Sequence, residues 1–235
     1  MEADLVFKNA FVVDGTGSPG YEAHVAVAGD TIIAVDINKA LDAPRMVDAK
    51  GLVLAPGFVD IHGHSDYFIL VLPGCDSKVL QGITTEVGGN CGYSAAPIRG
   101  ELAEDRHGTH KELYDLDADW NTFEKYMERV SGAPLAMNYA PLTGFNTIRA
   151  SAGCFSARPP SEEQQKAMEE MVTEAMESGA FGMSLGLTYS PGSFAETGEI
   201  VEYARIVAGR GGIVTSHIRS EGETLIESIK ESVDI

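Results

Sequence analysis

The residues with the clearest chemical potential are Asp60-Ile61-His62-Gly63-His64, which close an apolar run that begins at Leu52. Side chains two positions apart on a strand point to the same face, so His62 and His64 are expected to project together, as two ligands of one cation must. Zinc accepts imidazole nitrogen and leaves coordination positions for other protein groups and for water. Cys91 offers a different donor. It sits in Gly88-Gly89-Asn90-Cys91-Gly92, just beyond an expected strand, and a thiolate is a soft ligand suited to zinc. His217, in Thr215-Ser216-His217-Ile218-Arg219, ends another expected strand. Each residue alone has a plainer reading, either a polar-loop histidine or a small thiol that packs as a hydrophobe. Three ligand-type clusters at the carboxyl ends of parallel strands are what a metal centre on the rim of an α/β scaffold requires.

Positioning such groups needs strands that open onto one rim, and the chain has that rhythm. After Pro56-Gly57, apolar runs that end in polar, glycine-rich segments alternate with helical patterns. Strands are expected over 52–62, 83–88, 135–142, 181–187 and 213–217. Between them, Trp120, Phe123, Met127 and Val130 repeat at helical spacing. Ser161 and Gln164 form a capping box after Pro159-Pro160, and Gly179 closes that helix. Further helices are expected over 197–209 and 223–235, whereas His107 and His110, in the strongly charged stretch 101–119, read as solvated loop residues. Five successive βα units predict a parallel sheet, open or closed, and a closed barrel takes eight. The first fifty residues differ, alternating short β-rich runs with Asp14-Gly15 and Gly29-Asp30 turn signals, and predict a small antiparallel β unit.

Composition narrows the partners. The 235 residues are 44% hydrophobic and 22% charged, enough apolar material for a core and against disorder. Lys and Arg number 17 against 35 Asp and Glu, and a formal charge of −18 argues against nucleic-acid and membrane-surface partners, because it repels phosphates and anionic headgroups. No apolar run approaches the roughly 18 to 20 residues of a membrane-spanning helix, and Met1-Glu2-Ala3-Asp4 lacks the basic start of a secretory signal. A cytoplasmic protein with reduced Cys75, Cys91 and Cys154 is expected. Two tempting spellings fail on context. Gly15 to Gly20 matches a dinucleotide fingerprint but leads into another β-like run, and Gly182 to Gly186 matches a nucleophile elbow but no helix can follow at once. A Cys91 nucleophile with His217 as its base is the remaining metal-free alternative.

At this point a family becomes recognisable. Residues 51–64, reading GLVLAPGFVDIHGH, resemble the amidohydrolase superfamily's entry into its first barrel strand. Residues 81–97 (QGITTEVGGNCGYSAAP), 186–192 (GLTYSPG) and 216–221 (SHIRSE) resemble one branch, the N-acyl-D-amino-acid deacylases or D-aminoacylases. The resemblance implies a metal-dependent-hydrolase, TIM-like (β/α)8 barrel with about five βα units over 56–235, preceded by the N-terminal part of a small β-sandwich over 1–55. It implies zinc as cofactor, with His62 and His64 at a weaker metal position, Cys91 as a thiolate able to contact both positions, and His217 on the tightly held zinc. Tyr189 would lie in a loop that approaches substrate, and Asp60 would shape the strand end. The implied reaction is hydrolysis of an N-acyl-D-amino acid to a D-amino acid and a carboxylate.

Family members are considerably longer, so the resemblance also implies absent parts. These are a further histidine ligand, the general-base aspartate expected beyond residue 235, and the basic residues that grip the substrate carboxylate. Leu142-Thr143-Gly144-Phe145 stands where relatives commonly carry a Gly-His pair. Hydantoinase- or dihydroorotase-like cyclic-amide hydrolases are the nearest alternative, but they generally use a carbamylated lysine after the fourth strand, and 181–191 holds no lysine. The other alternative is a non-catalytic half-barrel whose first and fifth strands expose edges for self-association. The chain alone is expected to be inactive and to hold zinc sub-stoichiometrically.

Overall fold

The computed structural model describes residues 2–37 and 41–235, so Met1 of the N-terminal tetrapeptide lies outside the described residues. Two compact units divide the chain, Met1–Gly57 and Phe58–Ile235.

The first unit contains β1 (Leu5–Val12), β2 (Tyr21–Ala28), β3 (Thr31–Asp36), β4 (Arg45–Asp48) and β5 (Val53–Leu54). β1, β2 and β3 pair antiparallel, as the turn signals predict. The glycine-rich stretch after Asp14 joins β1 to β2, with Asp14 Oδ1 accepting the Thr16 N–H at 3.0 Å and its hydroxyl at 2.7 Å, so it is a hairpin loop. The sheet is nonetheless mixed, because β4 and β5 both run parallel to β1. Asn9, in the left-handed region at φ 58°, interrupts the register of β1, and the turn closed by Leu52 N–H on the Ala49 carbonyl (2.9 Å) steps the chain from β4 to β5. The apolar run 52–62 therefore splits at Pro56, which has no N–H for a ladder. Ala10, Val12, Ala23, Val25 and Ala49 form the core of this unit.

The second unit is built from β6 (Phe58–Asp60), α1 (Phe68–Val71), α2 (Asp76–Val79), β7 (Ile83–Gly88), α3 (Glu101–Tyr114), α4 (Phe123–Ser131), β8 (Asn138–Pro141), β9 (Thr143–Gly144), α5 (Phe145–Ser151), α6 (Glu162–Glu177), β10 (Gly182–Gly186), α7 (Thr197–Gly209), β11 (Ile213–His217) and α8 (Leu225–Asp234). Its strands pair in parallel and in chain order, β6-β7-β8 and β9-β10-β11. β8 and β9 are two ends of one extended segment. Leu142 N–H donates to the Gly88 carbonyl and Phe181 N–H to the Pro141 carbonyl, each at 2.9 Å, so β7 and β10 flank it on either side. Parallel pairing sends the carboxyl end of every strand to the same side of its sheet.

Helix boundaries follow the sequence signals closely in α6, where the Ser161 hydroxyl accepts Gln164 N–H at 3.3 Å and Gln164 Oε1 accepts Ser161 N–H at 3.0 Å. Met168, Met171 and Val172 on its inner face pack with Ile200, Tyr203 and Val207 of α7 against Met183 and Leu185 of β10. Trp120 precedes α4 instead of lying within it, and its indole N–H donates to the Ala95 carbonyl at 2.7 Å. His107 and His110 do not lie in a solvated loop, because 101–114 form α3 and His110 is buried, stacked on Tyr67 at 3.7 Å with Nδ1 2.7 Å from the Arg106 carbonyl. The inner face of α3 is carried by Leu102, Arg106 and His110 at intervals of four, so an apolar period never becomes visible. Among the described residues, no helix is long and apolar enough to cross a membrane.

Arg219 fastens α8 to the unit. Its guanidinium donates to Glu231 at 2.9 and 2.8 Å and to the Ser193 and Ala195 carbonyls at 2.9 and 3.0 Å. The Arg219 hydrogen bonds hold the Glu231 carboxyl below its ordinary value of 4.5. A folded value below the unfolded one means that the pair stabilises the fold above about pH 4.5, and that this stabilisation is lost as pH falls through the depressed folded value. Urea midpoints recorded against pH are expected to fall less steeply on the acid side for Glu231→Gln than for the wild type. Coincident acid limbs would remove this pair from the pH response.

Candidate metal centre

β6 delivers Asp60 to the edge of the site, and the chain then turns. His62 and His64 follow the strand's last residue, so their shared direction comes from the turn and not from strand alternation. Asp60 Oδ1 accepts the His62 N–H at 3.2 Å, its other oxygen pairs with Lys78 of α2, and the Lys78 hydrogen bond holds the Asp60 carboxyl below its usual range. Gly63 N–H donates to the Val87 carbonyl of β7 at 2.9 Å. A Cβ at Gly63 would lie 1.9 Å from Glu86 Oε1, so only glycine fits between the two histidines. Glu86 is itself wholly buried, with its carboxylate held by Ser65 N–H (3.1 Å), the Ser65 hydroxyl (3.0 Å) and Lys78 (3.4 Å).

The second loop follows β7. Asn90, 1% exposed, donates from Nδ2 to the Gly63 carbonyl (3.2 Å) and the Val87 carbonyl (2.9 Å), tying the histidine turn to the cysteine turn. Cys91 then takes a left-handed conformation at φ 55°, costly for a residue with a side chain, between Gly89 and Gly92 at φ 73° and 78°. The Cys91 carbonyl leaves no room at Gly186, where a Cβ would come within 2.0 Å of it, and Ser184 of β10 accepts Gly92 N–H at 2.9 Å and donates to the Gly89 carbonyl. Ser184 is thus a brace for the cysteine loop, and the nucleophile-elbow spelling around it is a buried strand.

The result is convergence. One ligand atom each from His62, His64 and Cys91 lie within 4.8 Å of one another, and Cys91 Sγ is 3.3 Å from His62 Nε2. A nitrogen at 2.0–2.1 Å and a sulfur at 2.3 Å on one tetrahedral zinc stand about 3.5 Å apart, so the donor set and its spacing fit a zinc-type cation. Burial lowers His64 below its ordinary value, with the neighbouring His62 adding to the shift, which favours the neutral imidazole that ligation needs. Burial pushes the Cys91 thiol up, so its thiolate calls for a positive neighbour.

His217 stands outside this cluster. It ends β11 directly opposite Gly186 in the β10 register, with its Nε2 3.6 Å from Glu221 and its ring edge-on to Tyr189 at 4.8 Å. Tyr189 lies in the turn after β10, where Asn146 Nδ2 donates to the Gly186 and Tyr189 carbonyls (3.0 and 3.2 Å) and the Tyr93 hydroxyl donates to the Ser190 carbonyl (2.8 Å). Asn146 is fully buried at the start of α5, and its Oδ1 has no partner among the described residues. Asp66, two residues past His64, accepts the Tyr139 hydroxyl at 3.3 Å, and burial raises its carboxyl to about 7. Lys78, Glu86 and Asp66 escape a reading by motif. The one signal available was an acid in the strand run Thr84-Thr85-Glu86-Val87, where alternation places an inward side chain.

This arrangement is that of a known class. Residues 45–210 match the amidohydrolase family, and the chain belongs to it. N-acyl-D-glutamate deacylase of Alcaligenes xylosoxydans xylosoxydans is 40% identical over 230 residues, covering 97% of this chain and 46% of the relative. D-aminoacylase of the same organism is 36% identical over 234 residues, covering 99% of this chain and 48% of the relative. Among solved structures, N-acyl-D-glutamate deacylase from Bordetella bronchiseptica, complexed with zinc and a phosphonate mimic of the tetrahedral intermediate, matches with a TM-score of 0.89 at 33% identity, covering 100% of this chain and 49% of that one. The chain spans about half the length of the relatives it matches, and carries part of a hydrolase domain of this fold.

Proposed function

We propose that the chain forms part of a zinc-dependent amidohydrolase that cleaves the amide bond of N-acyl-D-amino acids, releasing a D-amino acid and a carboxylate. The observation that carries this reading is the meeting of His62, His64 and Cys91. In the proposed architecture, residues 56–235 supply about five βα units of a (β/α)8 barrel and residues 1–55 supply strands of a small β-sandwich. The protein is proposed to act in the cytoplasm.

When bound, zinc supplies positive charge that polarises the scissile carbonyl and makes a water molecule more acidic. His62, His64 and Cys91 are proposed to hold it from one side, with His217 a ligand from the end of β11. Asp60, Lys78 and Glu86 keep the histidine turn in place, and Asn90 keeps the cysteine turn against it. Tyr189 is proposed to contact substrate, its backbone fixed by Asn146. Proton transfer from water to the leaving nitrogen is assigned to an aspartate outside these residues. The cyclic-amide reading is disfavoured by the lack of lysine in 181–191.

The test is hydrolysis by the zinc-loaded, full-length protein of N-acetylated D- and L-amino acids, followed by chiral chromatography. Release of D-amino acids with little from the L-series is expected. Ring opening of hydantoins or dihydroorotate without D-selective deacylation would overturn the reading.

A further inference from the structure

A half-open cavity of about 350 Å³ has His64 on its wall, and is lined by the segment after β6, the segment after β7, α5, α3 and Pro191. Its lining is mainly apolar, with Phe68, Tyr93, Ile98, Leu102 and Tyr114 among the walls. Arg106 of α3 stands half-buried among them. A guanidinium carries five N–H donors, and taking it out of water without acceptors is costly. Among the described residues, however, no side-chain hydrogen bond or ion pair engages Arg106. The acid that also lines the cavity, Asp66, accepts the Tyr139 hydroxyl instead. Arg106 bears on the cavity's interior, because its charge opposes the rise that burial gives the phenol of Tyr67, another lining residue. Of the other buried or half-buried arginines of this unit, Arg149 and Arg219 are each matched to a glutamate, and Arg99 donates to the Asn121 carbonyl at 3.2 Å. In a chain of formal charge −18, Arg106 is the exception among the described residues, a half-buried arginine whose guanidinium meets neither a carboxylate nor a carbonyl.

We propose that this cavity receives an arm of the substrate made of an apolar stem ending in a carboxylate, and that Arg106 pairs with that carboxylate. The inference rests on the amidohydrolase reading, which puts the scissile amide beside His64. Two arms leave such an amide, the acyl chain and the amino-acid side chain, and either can present this chemistry. The aromatic walls accept the stem, and a planar guanidinium suits bidentate pairing with the terminal carboxylate.

Two substrate pairs separate the arms in the full-length protein. N-acetyl-D-glutamate against N-acetyl-D-leucine varies the side chain, and N-succinyl-D-leucine against N-butanoyl-D-leucine varies the acyl end. Arg106→Gln is expected to reduce the preference for the carboxylate member of one pair by about 10- to 100-fold, chiefly through KM, and the pair that responds identifies the arm. Arg106→Lys is expected to restore part of that preference. Arg205→Gln, on the exposed face of α7, controls for loss of a positive charge. Changes below about twofold in both pairs would overturn the proposal. Should the wild type hydrolyse none of the four, the deacylase reading fails separately, and calorimetric titration with glutarate decides the cavity. Binding at least about tenfold weaker in Arg106→Gln supports the assignment, and equal or absent binding in the two proteins overturns it.

Discussion

Replacing Cys91 with glycine in the full-length protein is expected to lower zinc affinity by more than about 100-fold, and the proposed deacylase activity with it, while leaving the metal-free fold intact. The size follows from the residue's place. Partners one step removed from a metal already cost roughly 10- to 100-fold when changed, and Cys91 Sγ is itself 3.3 Å from His62 Nε2, at the spacing of two ligands on one ion. The retention of the fold follows from the backbone. Cys91 sits at φ 55°, where a residue with a Cβ is strained by about 1–2 kcal/mol and glycine is not. Glycine also keeps the Cys91 carbonyl where it meets Gly186, so the brace between the loop and β10 persists. Thermal unfolding of the metal-free variant is therefore expected at or above the wild-type midpoint. Metal content after dialysis against a competing chelator then reports the ligand role alone. A variant that keeps zinc as tightly as the wild type would remove Cys91 from the centre.

The contrast between the two loops explains how far the sequence could be read. The alternation of β-rich runs and helical patterns after Pro56 is a local signal, so β7, β10, β11, α6 and α7 are legible to within a residue or two. The His62, His64 and Cys91 candidates are legible because their side chains belong to few chemistries and each follows a strand. The groups that hold them are not. Lys78 reaches Asp60 across 18 positions and Asn90 reaches Gly63 across 27, and neither partner carries a mark of the other in sequence. The same holds for α3, whose buried face presents Arg106 and His110 to a cavity and so hides the helix from a hydrophobic period. β4 and β5 could not be read as parallel to β1, because that pairing depends on the irregularity at Asn9 and on a turn at 49–52.

Glu199→Leu is expected to destabilise the fold by about 3–5 kcal/mol, because it leaves Arg149 charged and enclosed. Arg149 has no exposed surface, and its guanidinium binds both oxygens of Glu199, at 2.8 Å from Nε and 3.3 Å from Nη2. Its remaining group, Nη1, donates to the carbonyls of Pro191, Cys154 and Ser156 at 3.2, 3.3 and 3.5 Å. Those carbonyls accept hydrogen bonds but carry no countercharge, so they do not replace the carboxylate. The double variant Arg149→Met, Glu199→Leu removes both charges and fills similar volume, and is expected to recover most of the loss. Urea denaturation of the wild type, the two single variants and the double variant gives the coupling directly. A loss near zero for Glu199→Leu would mean that Arg149 finds another anion or water. The same pair reaches the candidate site, since Arg149 fixes Pro191 immediately after the turn that carries Tyr189, and Asn146 holds that turn from the other end of α5. Glu199→Leu is therefore expected to raise KM for the proposed N-acyl-D-amino-acid substrates in whatever fraction remains folded. The metal content of that fraction should stay close to that of the wild type, because none of the groups joined to Arg149 touches His62, His64 or Cys91.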